Sequence, residues 1–276
     1  MIKLVKELAA DKQEMRKAYC EALMQVAKVD PRIIVLDCDL SNSVGTSAFY
    51  EAFPGRGFNC GIQEANACGV AAGLSATGMI PFVHSFAVFT SRRIFDQVFI
   101  SCAYAGRNVK LIGGDAGVSA AFNGGTHMAF EDMGILRAIP GITIVEASDT
   151  VMMKSIVPQI ANHYGVDYLR MPRKKVIRIY EEGSTFEIGK AAVLREGKDV
   201  AIIASGMLVS EALKAAEALA AEGIEARVVD MFTIKPIDIE CIIESANKTG
   251  AIVTAENHNI INALGSAVAE VLIENC

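Results

Sequence analysis

Short runs of β-branched residues alternate with longer helical stretches along most of the chain, and that alternation admits few folds. RIIVLDCDL, MIPFVHSFA, NVKLIGGDAG, GITIVEASD and VDYLRMPR read as strands, with GFNCG as a shorter one. The helical stretches are one starting near Gln63, SRRIFDQVFISCAYAG, EDMGILRAI closed by Pro140 and Gly141, and TVMMKSIVPQIANHYG capped by Asp149. Strands separated in this way by helices predict an α/β fold with a parallel sheet covered by helices. Such sheets bind ligands beyond the carboxyl ends of their strands, and several of these strands end in polar residues.

The first unit spans residues 1–174. Residues 175–196, basic and then acidic with Gly183 and Gly189, read as a linker. Residues 197–276 carry a second series: strand DVAIIASG, helix SEALKAAEALAAEG, strand EARVVDMFTI, helix IDIECIIESANKTG, strand AIVTAEN and helix INALGSAVAEVLIEN. Three parallel strands make a small layer, so this second domain is expected to be incomplete, or completed by a partner.

Bulk properties exclude several classes. A chain of 276 residues, 52% apolar and 21% charged, fits about two globular domains. The formal net charge is −6 and KKVIR is the lone basic cluster, which argues against nucleic acid as partner. MIPFVHSFAVF is too short to span a bilayer and carries His84, so no membrane role is expected. The amphipathic, charged start MIKLVKELAADKQEMRKAY does not resemble a secretory leader. Seven scattered cysteines without a CxxC pair fit reduced thiols and a cytoplasmic location.

P-loop, GxGxxG, GxSxG and HExxH motifs are absent, and the four histidines lack metal-ligand spacing, so no metal is expected on this chain. Glu64 opens a helix of small residues, EANACGVAAG. An acid in a first turn suits the helix dipole; the other reading is a carboxylate placed for chemistry. His127 ends GGTH and is either a hydrogen-bonded loop residue or a proton-transfer group. Phe86, Phe89 and Arg92 follow a strand at helical spacing, as core packing or as a platform for a flat ring. Ser43 reads as a helix cap and Arg170 as a surface charge, taken singly.

Taken in order, GIQEA, PFVHSFAVFTSRR, GGTH, EDMGILRAIPGITIVEASD, YLRMPR, ASGMLVSEALKAAEAL, VVDMFTIKPID and NALGSAV resemble the carboxyl-terminal half of transketolase. The resemblance runs from about Met15 to the end and is greatest to split transketolases, in which this half is a separate chain. It implies a pyrimidine-binding domain of thiamine diphosphate enzymes followed by a partial C-terminal domain. The implied reaction moves a two-carbon ketol unit between sugar phosphates. By that resemblance Glu64 bonds the aminopyrimidine of the cofactor and so activates it. This needs a carboxyl group able to carry a proton near neutrality, which a wall of small residues and phenylalanines favours. Phe86 and Phe89 would seat the pyrimidine, with Arg92 and Asp39 nearby. His127 would serve proton transfer and substrate binding, with Ser43, Asn123 and Arg170 also on the sugar phosphate.

Departures from the family pattern accompany the likeness. Asn123 stands where transketolases carry an aspartate, and Gly114 where a phosphate-contacting histidine is expected. Asp115 stands where deoxyxylulose phosphate synthases keep an arginine. The family's GDG…N motif, which holds the diphosphate through Mg²⁺, has no counterpart here. An N-terminal section must therefore supply it, in a heterotetramer or around a self-dimer. A 2-oxo acid dehydrogenase beta subunit, a deoxyxylulose phosphate synthase-like enzyme and a noncatalytic binding subunit are the alternatives. Assays of pyruvate-like acids against ketose phosphates separate the first from transketolase; cofactor binding without transfer marks the last.

Overall fold

Residues 2–276 are described by a computed structural model. The strands are β1 (Leu4–Ala10), β2 (Ile33–Asp37), β3 (Gly57–Asn59), β4 (Ile80–Phe86), β5 (Val109–Gly114), β6 (Thr143–Glu146), β7 (Val166–Met171), β8 (Ile177–Tyr180), β9 (Ala192–Arg195), β10 (Val200–Ala204), β11 (Ala226–Asp230), β12 (Thr233–Lys235) and β13 (Ile252–Ala255). The α-helices are α1 (Met15–Val29), α2 (Ser41–Val44), α3 (Ser47–Ala52), α4 (Glu64–Ala76), α5 (Asp132–Leu136), α6 (Thr150–Asn162), α7 (Leu208–Ala221), α8 (Ile239–Thr249) and α9 (Leu264–Asn275). The stretch Gln97–Tyr104 also winds helically, but with the wider i→i+5 turn.

A seven-stranded sheet in the order β12-β6-β7-β5-β4-β2-β3 forms the first layer, parallel except for β12. β2, β4, β5, β6 and β7 are buried along their whole length because helices cover both faces. Side chains alternate between the two faces. Ile33, Val35 and Phe82 pack with Leu23 of α1 and Ile156 of α6, whereas Leu36, Val83 and Leu111 meet Ala67 and Ala71 of α4 and Val98. Truncating a side chain such as Phe82 to Ala would cost ~3–5 kcal/mol.

The second layer is a four-stranded sheet, β13-β10-β11-β9. β10, β11 and β13 are parallel as expected, and antiparallel β9 extends the edge. That edge comes from the segment read as a linker, which also contains β8, paired with the amphipathic N-terminal strand β1. Asp149 explains part of this order. One carboxylate oxygen accepts the amides of Val151 and Met152, capping α6, while the other accepts those of Ile179 and Tyr180. The run read as a single strand, EARVVDMFTI, divides instead into β11 and β12, which join different sheets. The two layers are thereby stitched together by one short piece of backbone.

The seam between them is polar and closed. Arg170, at the end of β7, is fully buried. It donates to Asp132 at 2.7 Å, to Glu146, and to the carbonyls of Ala129 (3.2 Å) and Asn257 (2.7 Å). Ser205, after β10, donates to Glu146 at 2.7 Å, and Tyr180 donates to Asp230 at 2.6 Å. Gly206 must be glycine for this approach: its φ is +55°, and an added Cβ would lie 2.4 Å from the Glu146 carboxyl carbon.

Candidate active site

Strand order locates the site. From β2 the chain moves to β3 on one flank and then to β4 on the other, so the connections diverge between β2 and β4. Adjacent crossovers leaving in opposite directions open a crevice at the strands' carboxyl ends. A cavity of about 250 Å³ lies there, lined by Cys38, Asp39, Leu40, Ile62, Glu64, Phe86, Phe89, Arg93 and His127. A larger cavity of about 460 Å³ contains Lys174, Lys175, Met207 and Glu211. It holds no buried titratable group, so chemistry rather than size selects the smaller one.

Glu64 is the first residue of α4 and only 1% exposed. Its neighbours along the helix, Ala67, Cys68 and Ala71, are small enough to let α4 pack closely on the sheet. Ser85 donates to one carboxylate oxygen at 2.8 Å and Arg93 to the other at 2.6 Å. The carboxylate therefore has an ion-pair partner as well as the expected apolar wall. Arg93 also lies 3.9 Å from the Phe89 ring centroid, and its side chain is 43% exposed.

Phe86, Phe89 and His127 form a three-ring cluster. His127 meets Phe86 and Phe89 edge-on at centroid distances of 5.7 and 5.4 Å. Its Nδ1 lies 2.9 Å from the Thr126 hydroxyl. The other three histidines have structural partners. His84 is buried between the Tyr19 hydroxyl and the Leu36 carbonyl, and burial lowers its pKa. His163 pairs with Asp167, whose hydrogen bond raises its pKa, and His258 lies 3.8 Å from Asp132. Cys38 faces the cavity as a thiol, since burial pushes its pKa up to about 12.

Five residues expected at the site, Glu64, His127, Phe86, Phe89 and Asp39, converge on this cavity. Asp39 adopts a left-handed φ of +62° and accepts a hydrogen bond from Asn59 at 3.1 Å. The remaining four do not line it. Arg92 turns away to Glu131 at 3.1 Å, leaving its neighbour Arg93 on the carboxylate. Ser43 sits in α2, where its carbonyl accepts from Arg16. Asn123 is exposed at the end of a short 3₁₀ helix, Gly117–Asn123, and faces Arg173 at 3.5 Å. Arg170, expected on the sugar phosphate, instead has its donors committed to the seam. Three residues later in the same YLRMPR motif, Arg173 has its guanidinium 5.7 Å from the Phe86 ring centroid. Arg93, Ser85 and Arg173 escaped the sequence reading. The tandem Arg92-Arg93 and the second arginine of YLRMPR were the available signals.

Two family descriptions match the chain: the transketolase pyrimidine-binding domain over residues 11–210 and the transketolase C-terminal domain over residues 189–276. Relatives include the 6-deoxy-6-sulfo-D-fructose transketolase subunit SqwH of Clostridium sp. (strain MSTE9), 49% identical, with 98% of this chain and 84% of that protein covered. An apulose-4-phosphate transketolase subunit of Phocaeicola vulgatus is 37% identical, with 94% and 84% covered. A solved structure described as a split gene transketolase, inactive beta4 tetramer, matches with a TM-score of 0.88 at 46% identity, covering 95% of this chain and 85% of that one. The chain belongs to the transketolase family, in the form whose C-terminal section is a separate subunit. It is part of a transketolase-type transferase that acts with a partner chain, and the family depends on thiamine diphosphate.

Proposed function

We propose that this chain supplies the pyrimidine side of a thiamine diphosphate site and the contacts to one end of a sugar substrate. The observation that carries this is the buried Glu64 carboxylate beside Phe86, Phe89 and His127 in one cavity at the crevice of the sheet. The residues fit the group. A ring of pyrimidine size can lie against the two phenylalanines, and Glu64 can offer an oxygen to a ring nitrogen once Arg93 yields it. The bound cofactor would supply a carbanion-stabilising centre for two-carbon ketol transfer. Glu64 would hold a proton at the ring nitrogen, and His127 would move protons at the substrate hydroxyls. Asp39 would border the cofactor, and Ser43 and Asn123 would lie on the approach for substrate.

Arg173 takes the role first given to Arg170, binding the anionic end of the sugar through a planar guanidinium. The two named relatives act on sugars ending in sulfonate and in phosphate, and both chemistries suit an arginine. The functional division is 1–174 for the pyrimidine domain and 197–276 for the C-terminal domain. An N-terminal section would contribute Mg²⁺ and the diphosphate grip. Two copies of each section would make a heterotetramer in the cytoplasm, in pentose phosphate-type metabolism and without nucleic acid. The native mass of the complex purified with thiamine diphosphate and Mg²⁺ tests this. A second chain with cofactor retained is expected; a lone, cofactor-free chain overturns the reading.

A further inference from the structure

Arg173 does not meet an incoming anion alone. Its Nη2 lies 2.6 Å from the carboxylate of Asp115, which is buried. Asp115 immediately follows β5, and its amide donates to the Met171 carbonyl at the end of β7, so backbone pairing fixes the carboxylate there. Its φ of +59° is left-handed, a conformation few residues accept. Gly114, one residue earlier, brings no side chain of its own to the anion, and an added Cβ would press on Val44 at 3.3 Å. Lys174 does not restore the positive charge at the anion's place, because its ammonium sits over Phe122 at 4.6 Å. Asn123, the other partner of Arg173, presents a neutral oxygen.

The anion subsite is therefore an arginine whose charge is offset by a fixed aspartate. A phosphate monoester carries about −1.5 to −2 at neutral pH, whereas a sulfonate carries a single charge. Repulsion from Asp115 cancels much of the attraction that Arg173 offers at either charge. The cost of stripping water from the anion, however, rises steeply with its charge, so a dianion loses more on entering than a monoanion. We infer that Asp115 is a specificity-determining residue which makes this site favour sugars ending in a monoanion such as a sulfonate over those ending in a phosphate. Asp115 acts through Arg173, as a positioning residue that holds one edge of the guanidinium and leaves the other for the substrate. The inference rests on the assignment of Arg173 to the substrate's anionic end.

The test uses the complex of both subunits with cofactor, and two donors: the 6-sulfonate and 6-phosphate forms of one ketohexose. The wild type is expected to favour the sulfonate by about tenfold or more in kcat/KM, with the difference in KM, since like-charge juxtaposition discriminates at binding. Asp115→Asn, which tolerates the left-handed backbone, should narrow the preference by about tenfold by lowering KM for the phosphate. Asp115→Glu should keep it. A wild type that favours phosphate overturns the inference, even if Asp115→Asn fails to assemble. So does an Asp115→Asn complex of unchanged ratio. Arg173→Ala separates the two levels. If it raises KM for both donors while Asp115→Asn shifts nothing, the inference fails and the subsite stands. If it leaves both KM values unchanged, the subsite fails and takes the inference with it.

Discussion

Two charged clusters sit at the carboxyl edge of the large sheet, and their difference separates structure from function. Around Glu64, one ion pair and one hydroxyl meet the carboxylate, and a cavity adjoins it. Around Arg170, two carboxylates and two carbonyls surround the guanidinium, and nothing is left open. The second domain lays Ser205, Asp230 and Asn257, all at or just beyond its own strands' carboxyl ends, onto this seam. The edge where such a sheet would bind a ligand serves to hold the layers together. A buried charge with every donor engaged is a structural part; one facing space is available for chemistry.

The sharpest break of that contrast is Arg170→Met. It leaves Asp132 and Glu146 buried without their partner, a loss of about 3–5 kcal/mol. Thermal or denaturant unfolding measures it, and a change below about 1 kcal/mol would mean the seam is not holding the layers. Glu64→Gln should do the reverse. Turnover of the assembled complex falls by a factor of about 10² or more, while the melting temperature stays close to wild type. Turnover within about tenfold of wild type would remove Glu64 from the mechanism.

Which of these clusters was legible beforehand follows from what each depends on. The alternating pattern sufficed for a parallel sheet containing β2, β4, β5, β6 and β7, because burial on both faces is written into the residues themselves. Glu64 stood out as a carboxylate among small residues, but its local pattern equally suits an acid at a helix dipole, and the family resemblance was what favoured a place in the site. The roles of Arg170 and Arg173 were not legible, since both lie in YLRMPR and only the placement of Glu146, Asp132 and Asn257 decides which is sealed. β8 and β9 were missed, and β12 was merged with β11, for a related reason. They are short, and their pairing with β1, β11 and β6 is set by tertiary neighbours that no local pattern encodes.

The seam also carries a pH signature. Burial raises the Asp230 carboxyl to about 7 in the folded chain from an ordinary 3.8. Between those values the unfolded chain loses the proton while the folded chain keeps it. Stability from this group is thus fully present below about pH 4 and declines by at most about 1.4 kcal/mol per unit until about pH 7. Asp230→Asn keeps an oxygen for the Tyr180 hydroxyl but cannot ionise. Its stability relative to wild type should rise between pH 4 and 7 and then level off, as read by unfolding at a series of pH values. A constant difference would show that the carboxyl is ionised in the fold throughout.

The smallest effects come from the neighbouring arginines 92 and 93, which repeat the contrast on one turn of chain. Arg92 pairs with Glu131 across a partly exposed surface, its side chain 49% accessible. Such pairs are worth about 0–1 kcal/mol, so Arg92→Met should alter stability by no more than that. Arg93 holds a buried Glu64 oxygen, and under the proposed function it would compete there with a cofactor nitrogen. Arg93→Met removes that competition, so the assembled complex should retain thiamine diphosphate more tightly, by a few fold, while Arg92→Met leaves retention unchanged. Equilibrium dialysis of the complex measures both. Weaker retention in Arg93→Met would mean the arginine belongs to the bound state, and that the ion pair with Glu64 orients the carboxylate for the ring instead of competing with it.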